Sequence, residues 1–228
     1  IIDMRIFIIT MDDPIITNLF LKKVMKYRNG DIVGLASTKK GRTEVHKKSR
    51  IEYIFCLLLI LGPLRFLTNV FKTLAFKLDI FICYLLGRES KMSILYFSKK
   101  MKIATFKTEN VNEPAFLDKI RSTKPDVIIN QSQYILKSDL LSIPRIGTIN
   151  RHNALLPRHK GRISPFWVLL NKDKETGISI HFVNEGIDEG EIIYQFKYKV
   201  SNFSFNNLVD VNYRVAPIAM LKALSILE

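Results

Sequence analysis

Between Asp126 and Asn130 the chain runs Val127-Ile128-Ile129, apolar at every position instead of every second one. Side chains of a strand alternate between the two faces of a sheet, so this strand is buried on both, as in the interior of a parallel sheet covered by helices. That requirement organises the rest of the chain. Arg5 to Thr10 is a second β-branched and aromatic run, halted by Met11-Asp12-Asp13-Pro14, where proline suits a helix first turn. Ile15 to Tyr27 carries Ile16, Phe20 and Val24 at helical spacing, and Asn29-Gly30 turns into a strand from Asp31 to Ala36. Further on, the pattern predicts a strand over Lys102 to Lys107, a helix over Glu113 to Thr123, a short helix over Ser138 to Leu141 and a strand over Ile146 to Asn150. Gly177 to Val183 and Glu191 to Val200 form two strands around an acidic turn, and Asn207 to Leu227 is a closing helix. Strands alternating with helices make an α/β sheet. At 228 residues the chain is one compact domain with an appendage, able to bury roughly 70% of its unfolded surface.

The appendage is Ile51 to Gly87. Tyr53 to Leu64 is uncharged, Gly62-Pro63 breaks the run, and the remainder carries only Arg65, Lys72, Lys77 and Asp79 as charges. Its uninterrupted part falls well short of the roughly 20 residues that span a bilayer. Three readings stay open: a helical hairpin packed on the domain, a dimerisation surface, or an amphipathic pair lying on a membrane. Apolar residues at 47% and charged residues at 25% exclude a disordered or fibrous chain. The net charge of +14 would attract nucleic acid, anionic lipid or a phosphorylated small molecule, and charge alone does not choose among them. The basic stretch from Lys39 to Arg50 reads as a solvated loop, with a phosphate or nucleic-acid patch as the alternative. Cys56 and Cys83 are too few for a disulfide framework, which favours a reducing compartment. Met4 reads as the biological start, and the apolar run after it lacks the features of a signal peptide.

Polar residues concentrate at the end of the strand over Ile146 to Asn150. Asn150 and His152 point to one side of an extended chain, so an amide donor and a titratable imidazole converge there. Asn153-Ala154-Leu155-Leu156-Pro157-Arg158-His159-Lys160-Gly161 follows. A second focus is the turn Asn184-Glu185-Gly186-Ile187-Asp188-Glu189-Gly190-Glu191, where Asp188 either bonds its own turn or orients a histidine. His181 in mid-strand reads as structural and His159, in a basic loop, as solvated.

From Gly147 to Gln195 these elements resemble the core of the folate-dependent N-formyltransferases. The matching positions are Asn150, His152, Leu155-Leu156-Pro157, Gly161, Glu175-Thr176-Gly177, His181 and Asp188-Glu189-Gly190. The resemblance implies a Rossmann-like α/β formyltransferase fold, a mostly parallel twisted sheet in a single domain over 1–228 with 51–87 as an apolar helical insertion. It implies 10-formyltetrahydrofolate as cosubstrate, no metal and no covalent nucleophile. Asn150 would donate to the formyl oxygen, His152 would stabilise the oxyanion and shuttle protons, and Asp188 would hold His152 charged. Asn130, Gln131, Ser132, Gln133, Tyr134, Leu156, Val183 and Gly186 would line the folate pocket, largely through main-chain groups. Two positions depart from the family pattern: Ala154 stands for its usual serine and Lys160 for its usual arginine.

The expected acceptor is a small phosphorylated amine, most of all a nucleotide-linked amino sugar, in a cytoplasmic enzyme. Arg158, Lys160 and Trp167 are the candidate contacts to it; Trp167 belongs to a Trp-x-x-x-Asn segment that resembles one in amino-sugar formyltransferases, and is equally a core aromatic. Lys39, Lys40, Arg42 and Arg162 add charge for a diphosphate. Glycinamide ribotide is disfavoured because Thr10 to Pro14 has no glycine-rich phosphate loop. Initiator tRNA, and with it nucleic acid, is disfavoured because little more than a strand and a helix follows Gly190. The alternatives are methionyl-tRNA formylation, or a non-catalytic membrane- or RNA-associated module that keeps the fold. A homodimer and peripheral membrane contact through 51–87 stay open.

Overall fold

The computed structural model describes residues 4–38 and 50–228, and the side chains of all of these except Arg50, Ile51 and Tyr53. Ile1 to Asp3 and, of the basic loop expected over Lys39 to Arg50, the residues Lys39 to Ser49 lie outside the described residues, while Arg50 opens a helix. The elements in chain order are β1 (Ile6–Met11), α1 (Thr17–Tyr27), β2 (Ile32–Thr38), α2 (Arg50–Leu61), α3 (Pro63–Leu85), α4 (Ile94–Lys100) and β3 (Thr105–Thr108). They continue with α5 (Pro114–Ser122), β4 (Val127–Gln131), α6 (Ser138–Leu141), β5 (Gly147–His152), α7 (Ser164–Leu170), β6 (Glu175–Phe182), β7 (Ile192–Lys199) and α8 (Phe205–Leu227). The seven strands form one sheet in the order β3-β2-β1-β4-β5-β6-β7. The first five in that order are parallel, and β6 and β7 close one edge antiparallel.

The consecutive apolar strands are central, as their pattern requires. Ile6 and Ile8 of β1, with Val127 and Ile129 of β4, face α1, α4 and α8. Phe7, Ile9 and Ile128 face the other way, toward α5 and α6. Each strand thus feeds two cores, and α1 contributes Phe20, Leu21, Val24 and Met25 at helical spacing to the first. The short helices α4 and α7, seven residues each, were not legible in the sequence.

Gly62, at φ 74, separates α2 from α3, and Pro63 opens α3 where its missing N–H costs nothing. The hairpin expected over 51–87 is therefore present, but the domain does not cover its apolar side. Along α3 only Phe76 is buried, while Leu64, Phe71 and Tyr84 are among many apolar side chains left exposed. The side of α3 turned to the domain carries Phe76 together with two polar contacts. Arg65 pairs with Asp210 of α8, and Ser90 donates to Asp79. No helix among the described residues is long and apolar enough to cross a membrane.

Gly177 shows how tightly β6 meets β7: a Cβ there would stand 1.9 Å from the Phe196 carbonyl oxygen. Gly177→Ala must push the two strands apart, and an unfolding free energy lower by about 2 kcal/mol or more is expected from urea melts. A variant within about 0.5 kcal/mol of wild type would show that the edge pair yields freely.

Candidate active site

From β1 the chain moves outward through β2 to β3, and from β4 outward through β5 to β7. The carboxyl ends of β1 and β4 therefore open a crevice where the order reverses, the position at which open α/β sheets bind ligands. A cleft of about 1670 Å³ lies there. Its lining includes Asp13 after β1, Gln131 to Ile135 after β4, Asn150 to Asn153 at the end of β5, and Asp188. Leu57 and Ile60 of α2 and Val70 and Leu74 of α3 supply an apolar wall.

Strand register assembles the polar side. Asn130 of β4 stands beside Asn150 of β5, and Asn150 beside His181 of β6. His152 is 5% exposed, and its Nδ1 lies 3.1 Å from Asp188 Oδ2. The same carboxylate oxygen accepts the Gly161 N–H at 2.8 Å, and its other oxygen lies 3.5 Å from His181 Nε2. Asp188 therefore bonds outward to β5, β6 and the loop holding Gly161 and leaves its own turn. It sits at φ 51, a left-handed conformation that Asp tolerates better than most residues. Gly190 lets that turn close, since a Cβ there would meet the Phe182 carbonyl oxygen at 1.8 Å. Burial works to raise the Asp188 pKa; hydrogen bonds from His152 and His181, the charge of His152 and the Gly161 N–H outweigh it and hold the carboxyl far below the usual range.

On its other side, His152 Nε2 lies 2.8 Å from the His159 carbonyl oxygen. Both ring nitrogens thus face acceptors, so the ring is held from two sides. The His159 side chain is only 8% exposed and bonds Asp173 at 2.7 Å, which overturns its reading as a solvated loop residue. Its carbonyl is turned inward by a left-handed backbone at φ 55 and held by that hydrogen bond. His181, read as structural, donates from Nδ1 to the Phe182 carbonyl and aims Nε2 at Asp188.

Asn150 is oriented by a relay that starts at an obligate donor. Arg151 Nε donates to Gln131 Oε1 at 3.1 Å, so the Gln131 amide must turn its NH₂ away. That NH₂ donates to Asn150 Oδ1 at 2.9 Å, which leaves the Asn150 NH₂ as the group available to the cleft. The Arg151 guanidinium is fixed between the rings of Phe20 and Tyr213, 4.9 and 4.7 Å from their centroids. Sequence reasoning passed over Arg151, though its place inside Asn150-Arg151-His152 was the available signal.

A half-buried amide NH₂ beside an imidazole held by a carboxylate is suited to stabilising an oxyanion and moving a proton. The sequence signature of the formyl transferase family spans residues 84–219, well over half of the chain. The chain belongs to the formyl transferase family. Members of this family are enzymes that use 10-formyltetrahydrofolate as cosubstrate. Over 104 residues the chain is 38% identical to the bifunctional polymyxin resistance protein ArnA of Wigglesworthia glossinidia brevipalpis, covering 45% of this chain and 16% of that one. Over 128 residues it is 30% identical to the methionyl-tRNA formyltransferase of Clostridioides difficile (strain 630), covering 55% and 41%. The matched part is thus less than half the length of either relative. The fold is that of the phosphoribosylglycinamide formyltransferase from Anaplasma phagocytophilum, with TM-score 0.65 at 15% identity over 98% of this chain and 86% of that one. Glycinamide ribonucleotide transformylase 1 from Symbiobacterium toebii gives TM-score 0.64 at 14% identity, over 96% and 85%.

In this formyl transferase fold the expected site residues fall into two groups. Gln131, Ser132, Gln133, Tyr134, Asn150, His152 and Asp188 line the cleft. Asn130, Leu156, Val183 and Gly186, and the expected acceptor contacts Arg158, Lys160 and Trp167, sit outside its lining. Asn130 Oδ1 accepts from the amide and hydroxyl of Ser132 and so shapes the loop after β4. The amide of Leu156 donates to Ser179, that of Val183 to the Thr148 carbonyl, and that of Gly186 to Asn184. Arg158 lies 3.5 Å from Asp173 and Lys160 3.1 Å from Glu189, while Trp167 is half exposed and edge-on to Phe166. Arg162 lines the cleft; Lys39, Lys40 and Arg42 lie outside the described residues.

The depressed pKa of Asp188 has a definite sign in stability. Its contribution is complete above the ordinary Asp pKa of about 3.9 and is lost as pH falls below it, when the unfolded chain takes up the proton first. Asp188→Asn is therefore expected to be less stable than wild type at pH 7, with the gap narrowing in urea melts below about pH 4. A gap that widens toward acid would mean that the carboxylate is not the stabilised form.

Proposed function

We propose that this chain carries the formyl group of 10-formyltetrahydrofolate to a primary amine on a nucleotide-linked amino sugar. The observation that carries the transfer is the contact of His152 with Asp188 beside the oriented amide of Asn150. The amine nitrogen bonds to the formyl carbon, and the carbonyl electron pair moves onto oxygen. The Asn150 NH₂ and the His152 N–H now given to the His159 carbonyl donate to that oxygen. Collapse of the tetrahedral intermediate breaks the bond to the folate nitrogen, which leaves with a proton, and the amine gives up its own. Asp188 keeps the imidazolium in place throughout.

Two observations support the acceptor class. The N–H groups opening α1, where a phosphate would be cradled, are already taken: Asp13 accepts from the amides of Ile15 and Thr17 at 3.0 and 3.3 Å. A resident carboxylate there disfavours a ribotide phosphate at this point. The relative at 38% identity is the polymyxin resistance protein, and Arg162 in the cleft offers a cation for a diphosphate. The net charge of +14 and the similarity to a methionyl-tRNA formyltransferase favour a second reading, formylation of charged tRNA.

A panel of amines with 10-formyltetrahydrofolate, following release of tetrahydrofolate, separates these. Turnover on a nucleotide amino sugar with a shallow salt dependence is expected; turnover on charged tRNA alone, with a steep salt slope, would replace the acceptor, and no release with any amine would favour a non-catalytic module. Asn150→Ala, His152→Ala and Asp188→Ala should each lower turnover by about a hundredfold or more with folding intact. Near-normal activity in His152→Ala would sink the mechanism. Gln131→Glu keeps an acceptor for Arg151 but turns a second acceptor toward Asn150, drawing its NH₂ inward. Turnover lower by about tenfold or more, with the Michaelis constant for folate little changed, is the expected outcome.

A further inference from the structure

Of the eleven large apolar side chains that α3 leaves in solvent, seven share one stripe and Val70, Ile80, Ile82 and Tyr84 lie beside it. Leu64, Leu67, Phe71, Leu74, Leu78, Phe81 and Leu85 follow each other at alternating steps of three and four, each between 57 and 81% exposed. That is the a/d pattern of a left-handed coiled-coil seam sustained along the whole helix. Phe76, the buried residue of α3, occupies the position diametrically opposite this seam. The helix is thus attached to the domain by its back and presents a complete knobs-into-holes stripe outward.

We propose that α3 pairs with α3 of a second copy of this chain. A seam of identical character on both partners is self-complementary about a two-fold axis. Its seven side chains expose on the order of 900 Å² of surface, enough for one side of a standard interface at about 800 Å² per partner. The flanking positions raise no like-charge barrier: Thr68, Ala75 and Ile82 on one side and Val70, Lys77 and Tyr84 on the other hold a single charge. A membrane surface fits less well. An interfacial helix buries a broad apolar face and turns a cationic face to water, whereas the back of α3 is engaged with the domain through Phe76, the Arg65–Asp210 pair and the Ser90–Asp79 bond. Val70 and Leu74 also line the cleft, so the second copy would wall its outer side.

Sedimentation of the chain over a concentration series tests this, with co-sedimentation on vesicles of phosphatidylcholine and phosphatidylglycerol in parallel. Two copies of charge +14 repel through water, so a dimer held by the seam should tighten as salt rises, whereas adsorption to anionic lipid should weaken. The double substitution Phe71→Glu with Leu78→Glu should weaken the dimer by at least about a hundredfold while circular dichroism stays unchanged, and Lys72→Glu, off the seam, should leave it intact. Under mild oxidant Leu74→Cys should give a covalent dimer that Cys56 and Cys83 do not. A monomer at every concentration, vesicle capture relieved by salt, or a dimer indifferent to the seam substitutions would overturn the proposal.

Discussion

A carboxylate taken out of water must be compensated, and in this protein the compensation of Asp188 ties the site together. Three elements converge on it: β5 through His152, β6 through His181, and the loop after Pro157 through the Gly161 amide. Without these donors burial would push the carboxyl toward its neutral form, and the imidazole would lose the partner that fixes its ring. The loop reaches the pair twice, since His159 also presents its carbonyl to the far nitrogen of His152 and is itself anchored by Asp173. The ionised state of the site and the path of the loop are consequently one property.

The second constraint is geometric. Asn150 has an amide that could face either way, and nothing in a single amide decides which. Arg151 decides it, because a guanidinium can only donate, and the preference passes through Gln131 to Asn150 over two hydrogen bonds. Arg151 is itself at the cleft, held between aromatic rings of α1 and α8. The packing of that guanidinium thereby sets the orientation of the neighbouring Asn150 amide, an instance of packing controlling chemistry.

The helical insertion obeys a different logic from the domain that carries it. In α1 and α8 the apolar stripe faces inward and makes the core. In α3 one buried phenylalanine and two polar contacts attach the helix, and an apolar stripe at coiled-coil spacing is left exposed. Exposed apolar surface on this scale is unfavourable in water, and its seven-residue regularity gives it the shape of an interface instead of a loosely packed core. The same helix forms one wall of the cleft, so whatever covers it also shapes access to the site.

Much of this was legible in the residues. Val127 to Ile129 required a strand buried on both faces, and the alternation of strands with helical stripes required helices on each side; period and hydrophobicity are local properties that survive without coordinates. Asn150 and His152 were legible as a pair for the same reason, since two-residue spacing in a strand puts them on one side. The helices α4 and α7 were too short to show a period. That Asp188 meets His152 belongs to tertiary structure: 36 residues separate them in the chain, and the meeting follows from β6 running antiparallel beside β5 and from a left-handed residue at the turn. His159 was misread because a basic loop gives no sign of the buried Asp173 that waits for it. The apolar character of α3 was plain from its sequence, but the direction in which that face points was fixed only when Phe76, Arg65 and Asp79 attached the helix by its back. A pattern along one chain specifies which side of an element is apolar, and only the packing of the whole specifies what that side meets.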